Sequence, residues 1–520
     1  MRHSAEYALA AVVAPDDVAA RAGQAILIEG GNALEAAVAT AAVAAVTSPH
    51  LNALGGDAAW LVRPASGRMR AIEAVGLTGA KASIHAYRDL GQETIPRFGP
   101  LAAATVPGLV GAWSFALEMA QALGGKLPLD LLLSTAITTA RTGALVSPGE
   151  VEARLDPALI EQPGFASAYL SDGKPMPAGA LRKAEALAAT LEQLSRAGLK
   201  DFYRGDVARE LAADMEQLGV PVTRADLRSF QPRWREPLQV ATRAGSVFTL
   251  PPPSSGIAAL VAFGIAERLG IDRLDNFAFF HGLIESAKRG LAARDKAFVD
   301  FDGVEVDHDA MLAPDSLQAQ AEAVSMTRAA AFHPNVSLPS RAAVIAVTDM
   351  NGLTVVLAQS CGTAFGSGCV MPRTGVLLAN GAGAFSMTER APFALAPGLR
   401  PRTTLAPMIA TFKGGCVAAF GAAGSEAQPQ AGAQILARLA AGLSAVEACE
   451  APICTVFRKT AEEPAFVHVD ERFDGSIARR LRSAGHEVME VPDIGVSSLT
   501  AVLRVGNKIE VAADGASAGI

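Results

Sequence analysis

Aromatic side chains are scarce in this chain: they make up 5% of 520 residues, with only three tryptophans and four tyrosines. Charged residues are scarce too, at 19%, while hydrophobic residues reach 50%. A core on this scale must therefore be assembled from small aliphatic side chains, and the length calls for several layers or two lobes. Basic residues are few and scattered, the net charge is −7 and the pI is near 5.7. That balance excludes a nucleic-acid groove and an anionic membrane surface as partners. The five cysteines, Cys361, Cys369, Cys416, Cys449 and Cys454, are odd in number and lack metal-like spacing. They read as small buried hydrophobes kept reduced in the cytoplasm. Eight dispersed histidines form no zinc or iron pattern, so no metal or other cofactor is expected. The most apolar stretch, 33–46, is interrupted by Glu35 and is too short to cross a bilayer. Residues 1–17 lack the sustained apolar core and cleavage site of a targeting segment. These absences leave a cytoplasmic protein whose partner is a small-molecule ligand or substrate, with no nucleic acid, no membrane and a homo-oligomer as an open option.

Local signals then set the organisation. Asn32 and Glu35 are spaced as a capping box behind the Gly30-Gly31 turn, predicting a helix over 33–46 that ends before Pro49. Its alanine surface suits close packing on a sheet. Gly55-Gly56 leads into a strand at 58–62, and amphipathic helices are predicted at 183–197 and 206–218. The loop 251–256 (PPPSSG) opens another helix, and 331–340, with two prolines, reads as a surface loop or linker. Strands are predicted at 342–348, 353–359, 374–378, 406–412, 415–420 and 499–511, with helices at 428–441 and 475–484. Asn351-Gly352 marks a hairpin turn between the first two of these strands. No internal repeat is present, and the alternation of sheets and covering helices indicates a layered α+β protein.

Short motifs recur in a telling order: Gly30-Gly31-Asn32-Ala33 with Ala36-Ala37, Gly55-Gly56, Val106-Pro107-Gly108, Phe202-Tyr203-Arg204-Gly205, Arg235-Glu236-Pro237 and the 251–256 loop. They continue through Asp349 and Gly352, Phe365-Gly366-Ser367-Gly368, Gly375-Val376-Leu377-Leu378, Phe385-Ser386, 402–407 and Ala512-Ala513-Asp514. In this order and over nearly the whole chain, they make the sequence resemble the γ-glutamyltranspeptidases. The resemblance implies an α+β, four-layer αββα sandwich of the N-terminal-nucleophile hydrolase type. It also implies a large-subunit-like region, 1–340, intertwined in one domain with a small-subunit-like region, 341–520. In that family a threonine at the start of a strand attacks the peptide carbonyl before it and splits the precursor. Its new α-amine, with an ordinary pKa of about 8, then acts as general base for its hydroxyl, and backbone N–H groups hold the oxyanion.

The residues that would do this are largely changed here. Alignment on the Asp349 to Gly352 turn places Ala342 at the nucleophile, with Ala343 and Val344 in place of the threonine and histidine that follow it. The family's carboxylate-gripping arginine corresponds to Val75, its amine-holding acid to Ala384, a network asparagine to Gly362 and a threonine to Ser360. Losing the arginine and the acid removes an amino-acid clamp worth on the order of a few kcal/mol. What persists is Thr403-Thr404, matching the paired serines that touch the substrate carboxylate, and Gly424-Ser425, matching the pair whose N–H groups form the oxyanion hole. Ser340, two residues before Ala342 and on the same strand side, is a substitute nucleophile if Pro339-Ser340 is the scission bond. Ser360 and Cys361 are nearby but lack an evident base, and Ser254 and Ser255 read as loop caps at a helix start. The expectation is an uncleaved protein without γ-glutamyl transfer, acting on a small amide, acid or peptide-like molecule. The alternative is a non-catalytic homologue serving as a ligand-binding or partner subunit.

Overall fold

The computed structural model describes residues 3–154, 156–298, 306–332, 335, 340–458, 463, 465–491 and 498–520. At its centre is the hairpin expected from the Asn-Gly signal. The strand Arg341–Thr348 pairs antiparallel with Thr354–Gly362 through a turn closed by the Gly352 N–H on the Asp349 carbonyl. Both strands are buried on both faces, which is why they read as near-continuous apolar runs.

Around that hairpin a seven-stranded sheet forms in the order Ala516–Gly519, Ala11–Ala14, Arg341–Thr348, Thr354–Gly362, Asp57–Arg63, Arg70–Ala74, Arg233–Arg235. A second seven-stranded sheet runs His3–Tyr7, Lys508–Ala513, Ser498–Val505, Val417–Ala423, Met408–Phe412, Gly245–Thr249, Leu238–Ala241. Every neighbouring pair in both is antiparallel. Residues from before and after 340 supply strands to each sheet, so the two regions interleave.

The period-2 alternation of strand side chains assigns the layers. Ala342, Val344 and Ala346 join Ile409, Ala419, Val502 and Val511 of the second sheet in a core between the sheets. Ile345 and Val347 point the other way, into a core with the helices Asp17–Ile28, Ala33–Thr47, Leu109–Ala122 and Leu129–Thr142. The outer face of the second sheet packs on Gly256–Arg268 and Ala427–Ala440. The result is the αββα sandwich. The Asn32–Glu35 capping box forms as expected, and all of the helix Ala33–Thr47 is buried.

Two strand expectations are corrected. Residues 374–378 form no strand; only isolated bridges form there, Val370 with Leu377 and Gly55 with Leu378. Gly375, at φ 67, packs against the backbone of the Leu187 helix, and that contact turns the chain out of extended geometry. The segment 499–511 is two strands, Ser498–Val505 and Lys508–Ala513, that pair with each other around an exposed turn at Gly506. The linker 331–340 lies mostly outside the described residues.

Asp349 ties the central hairpin to the buried helix. Its carboxylate accepts the Ala33 N–H at the helix start at 3.0 Å, and the N–H groups of Asn351 and Leu353 at 2.9 and 3.1 Å. Hydrogen bonds to a charged acceptor contribute about 1.5–3 kcal/mol each and are not additive. Asp349→Ala is therefore expected to cost about 3 kcal/mol or more, read as a lowered denaturation midpoint at unchanged slope. A loss below about 1 kcal/mol would show that this link is not needed.

Candidate functional site

The hairpin ladder is irregular at one place. Arg341 pairs with Gly362 and Ala343 with Gln359, so Ala342 faces the two residues Ser360 and Cys361 across a β-bulge. The Ser360 hydroxyl sits in that irregularity. It accepts the Gly362 N–H at 2.8 Å and donates to the Arg341 carbonyl in a short hydrogen bond. Ser360 thus directs its proton at the carbonyl immediately before Ala342.

Beside the bulge opens a cleft of about 240 Å³. Ser340, Ser360, Thr403 and Thr404 line it, as do Gly362 and Ala384. The structure therefore brings together most of the positions marked in the sequence. It leaves others aside: Ala342 is fully buried between the sheets, Val75 is buried away from the cleft lining, and Gly424-Ser425 follow the end of the strand Val417–Ala423, outside that lining.

The threonine loop is held from behind. The Ser254 hydroxyl donates to the Leu405 carbonyl at 2.6 Å and accepts the Gly256 N–H, while the Ser255 hydroxyl donates to the Thr404 carbonyl at 2.9 Å. Ser254 is the helix-start cap expected of it; Ser255 pins the cleft wall instead. The Thr404 hydroxyl accepts from the Gln428 amide at 3.1 Å and the Thr403 hydroxyl from the Leu405 N–H at 3.2 Å, so both retain a proton to donate.

Gly362 has a steric reason. At φ 93, a Cβ there would meet the Asn380 side-chain oxygen at 1.9 Å. Asn380 fills the space, accepting the Thr363 N–H at 3.0 Å, and its own side chain lines the cleft. An amide group is thus present, delivered from a neighbouring loop.

Neither Cys361 nor a histidine offers the missing reactivity. Burial pushes the Cys361 thiol up to about 12, and no histidine lines the cleft among the described residues. The group that sequence reasoning missed is Asp57. It stands directly opposite Ser360 in the sheet, takes the Gly76 N–H at 2.8 Å and lines the cleft. Burial raises its pKa from 3.8 to about 7, against the opposing pull of the Gly76 N–H and of Arg400. A carboxyl poised near neutrality in a cleft is the usual condition of an acid–base group. The one sequence signal was its place after Gly55-Gly56 at the start of a strand.

Comparison with known proteins places this arrangement among relatives. Residues 19–520 match the family model described as gamma-glutamyltranspeptidase. The oxamate amidohydrolase proenzyme of Klebsiella pneumoniae is 36% identical over 485 residues, 92% of this chain and 91% of the relative. The glutathione hydrolase-like YwrD proenzyme of Bacillus subtilis is 30% identical over 490 residues, 93% of this chain and 91% of the relative. The crystal structure of cephalosporin acylase from Bacillus halodurans superposes with a TM-score of 0.88 at 26% identity, covering 100% of this chain and 97% of that one. The fold is the N-terminal-nucleophile hydrolase sandwich.

The raised pKa of Asp57 makes a stability prediction with a fixed sign. Its contribution is fully present below the unfolded value of 3.8 and is lost as pH rises through about 7, because the folded state holds the extra proton across that window. Melting temperatures of the wild type and Asp57→Asn, measured from pH 4 to 8, are expected to diverge, with the wild type falling relative to the variant as pH rises. Parallel curves would refute the shift.

Proposed function

The chain belongs to the γ-glutamyltranspeptidase family, and on that premise we propose that it acts on a small amide in the Ser360 cleft, without γ-glutamyl transfer and without self-cleavage at residue 342. The observation that carries the second half is Ala342: a buried methyl group stands where the family's chemistry needs a hydroxyl. With no oxygen at that position, the polarised Arg341 carbonyl has no attacking partner there. The amino-acid clamp is likewise empty at Val75 and Ala384.

The first half rests on the cleft and on kinship with an oxamate amidohydrolase and a cephalosporin acylase. Without a side-chain nucleophile, water attacks the amide carbon. The Asp57 carboxylate takes the water proton as the C–O bond forms. Collapse of the tetrahedral intermediate breaks the C–N bond, and the leaving nitrogen carries that proton away as ammonia, leaving a carboxylic acid. The Thr403 and Thr404 hydroxyls and the Asn380 amide orient the substrate. Ser360 is a positioning residue, because its proton is committed to the Arg341 carbonyl.

A second reading, a ligand-binding homologue without catalysis, is favoured by that same commitment of Ser360 and by the vacated residue 342. Ammonia release separates them, and a gel tests the absence of cleavage that both readings share. Ammonia release from oxamate is expected to rise with pH to a plateau above about 7 and to fall by about 100-fold or more in Asp57→Asn; no release from any small amide would leave only the binding reading. On a denaturing gel the purified protein is expected as a single band near 53 kDa. Ala342→Thr restores a hydroxyl beside the Ser360-bound carbonyl and is expected to yield pieces of about 35 and 18 kDa, at roughly 0.1 kDa per residue. Two bands from the unmodified protein would sink the uncleaved reading.

A further inference from the structure

Two arginines line the cleft, and they differ in what they face. Arg97 is paired with Asp156 at 2.8 Å. Arg402, next to Thr403, makes no hydrogen bond or ion pair with any described residue, and its Nε is buried without an acceptor. The acids nearby are already engaged: Arg294 pairs with Asp295 at 2.6 Å and makes a close contact with Glu426. Asp295 also accepts the Asn335 N–H. Burial and the charge of Arg294 hold Arg402 down to about 10, against the opposing pull of Asp295.

The guanidinium is nevertheless held firmly. It lies 4.5 Å over the ring of Phe393, and that ring packs edge-on to Phe298. Phe393 sits at φ 63, a left-handed conformation costly for an aromatic residue. It is fixed there by the Ser386 N–H on its carbonyl at 2.7 Å. Backbone strain and cation–π contact thus present a planar cation at the cleft wall that no described residue pairs by a hydrogen bond or ion pair. A fixed guanidinium matches a carboxylate in a two-point geometry that an ammonium cannot reproduce.

We propose that Arg402 is the anchor for a carboxylate on the molecule bound in this cleft, so that the ligand class is a small amide bearing a free carboxylate, such as an oxamate- or succinamate-like compound. The inference rests on the reading of the cleft as an amide site. It also moves carboxylate recognition from the vacated Val75 position to a different side chain beside the same threonine pair.

The probes are oxamate, succinamate and the neutral diamide oxamide, titrated calorimetrically and by thermal shift against the full-length wild type, Arg402→Met and Arg402→Lys. One or both of the carboxylated amides are expected to stabilise the wild type, and oxamide to bind at least tenfold more weakly. Arg402→Met is expected to lose that preference, with Arg402→Lys between the two. Without ligand, Arg402→Met is expected to melt no lower than the wild type, since it breaks no ion pair or hydrogen bond with a described residue; this separates a lost anchor from a damaged fold. Equal binding of oxamide and the carboxylated amides overturns the proposal, and so does undiminished carboxylate binding in Arg402→Met or failure of both carboxylated amides to bind the wild type. Arg402-dependent binding with no ammonia from any amide keeps the anchor and removes the hydrolytic reading. Ammonia release at the same rate in Arg402→Met does the reverse.

Discussion

The hydrogen-bonded hairpin Arg341–Gly362 is the constraint on which the rest of the molecule depends. It lies inside one sheet and between two further layers, so each of its side chains must fit a space bounded by a helix or by a facing strand. Small residues satisfy this best, and alanine and valine dominate it. The same confinement leaves one place where the ladder can depart from regularity, the bulge opposite Ala342. There the Ser360 hydroxyl and the Arg341 carbonyl satisfy one another in place of a regular pairing. The cleft opens beside that break, and Asp57 lines it because the neighbouring strand keeps register with Ser360.

Two features of the cleft wall follow from this scaffold. Gly362, where the resemblance expects an asparagine, leaves a space that the Asn380 side chain fills, so an amide still lines the cleft. Val75 stands outside the lining, while Arg402 stands within it beside the threonine pair. The Ser254-Ser255 contacts hold the loop that carries those threonines.

How much of this was legible in the sequence depended on whether the cause was local. Asn32 and Glu35 announced their helix because a capping box is satisfied within four residues. The Asn351-Gly352 turn announced the hairpin in the same way. Residues 374–378 misled because their extended pattern yields to a distant contact, the Leu187 backbone against Gly375. Ser340, Ser360, Thr403 and Thr404 line one cleft, whereas Gly424-Ser425 stand outside that lining. Asp57 was invisible because its raised pKa comes from burial by segments distant in the sequence, which outweighs the Gly76 N–H that opposes it. Arg402 could be read as an arginine, but that Asp295 and Glu426 pair with Arg294 and leave it no ion pair with a described residue is visible only in the structure.

The two perturbed groups in the cleft make opposite demands on the protein. Asp57 is held near neutrality, with a pKa of about 7, because its surroundings penalise a negative charge; Arg402 is held down because its surroundings penalise a positive one. A stability-optimised cleft would pair charges or remove them. Both line one cavity, where on the proposed reading a ligand carrying the complementary groups offsets that cost. A carboxylate meets the cation, and a water or amide proton gives the carboxyl a partner as it ionises. The proposed reading therefore rests on what surrounds residue 342 rather than on that residue alone: a carboxyl and a guanidinium line one cavity.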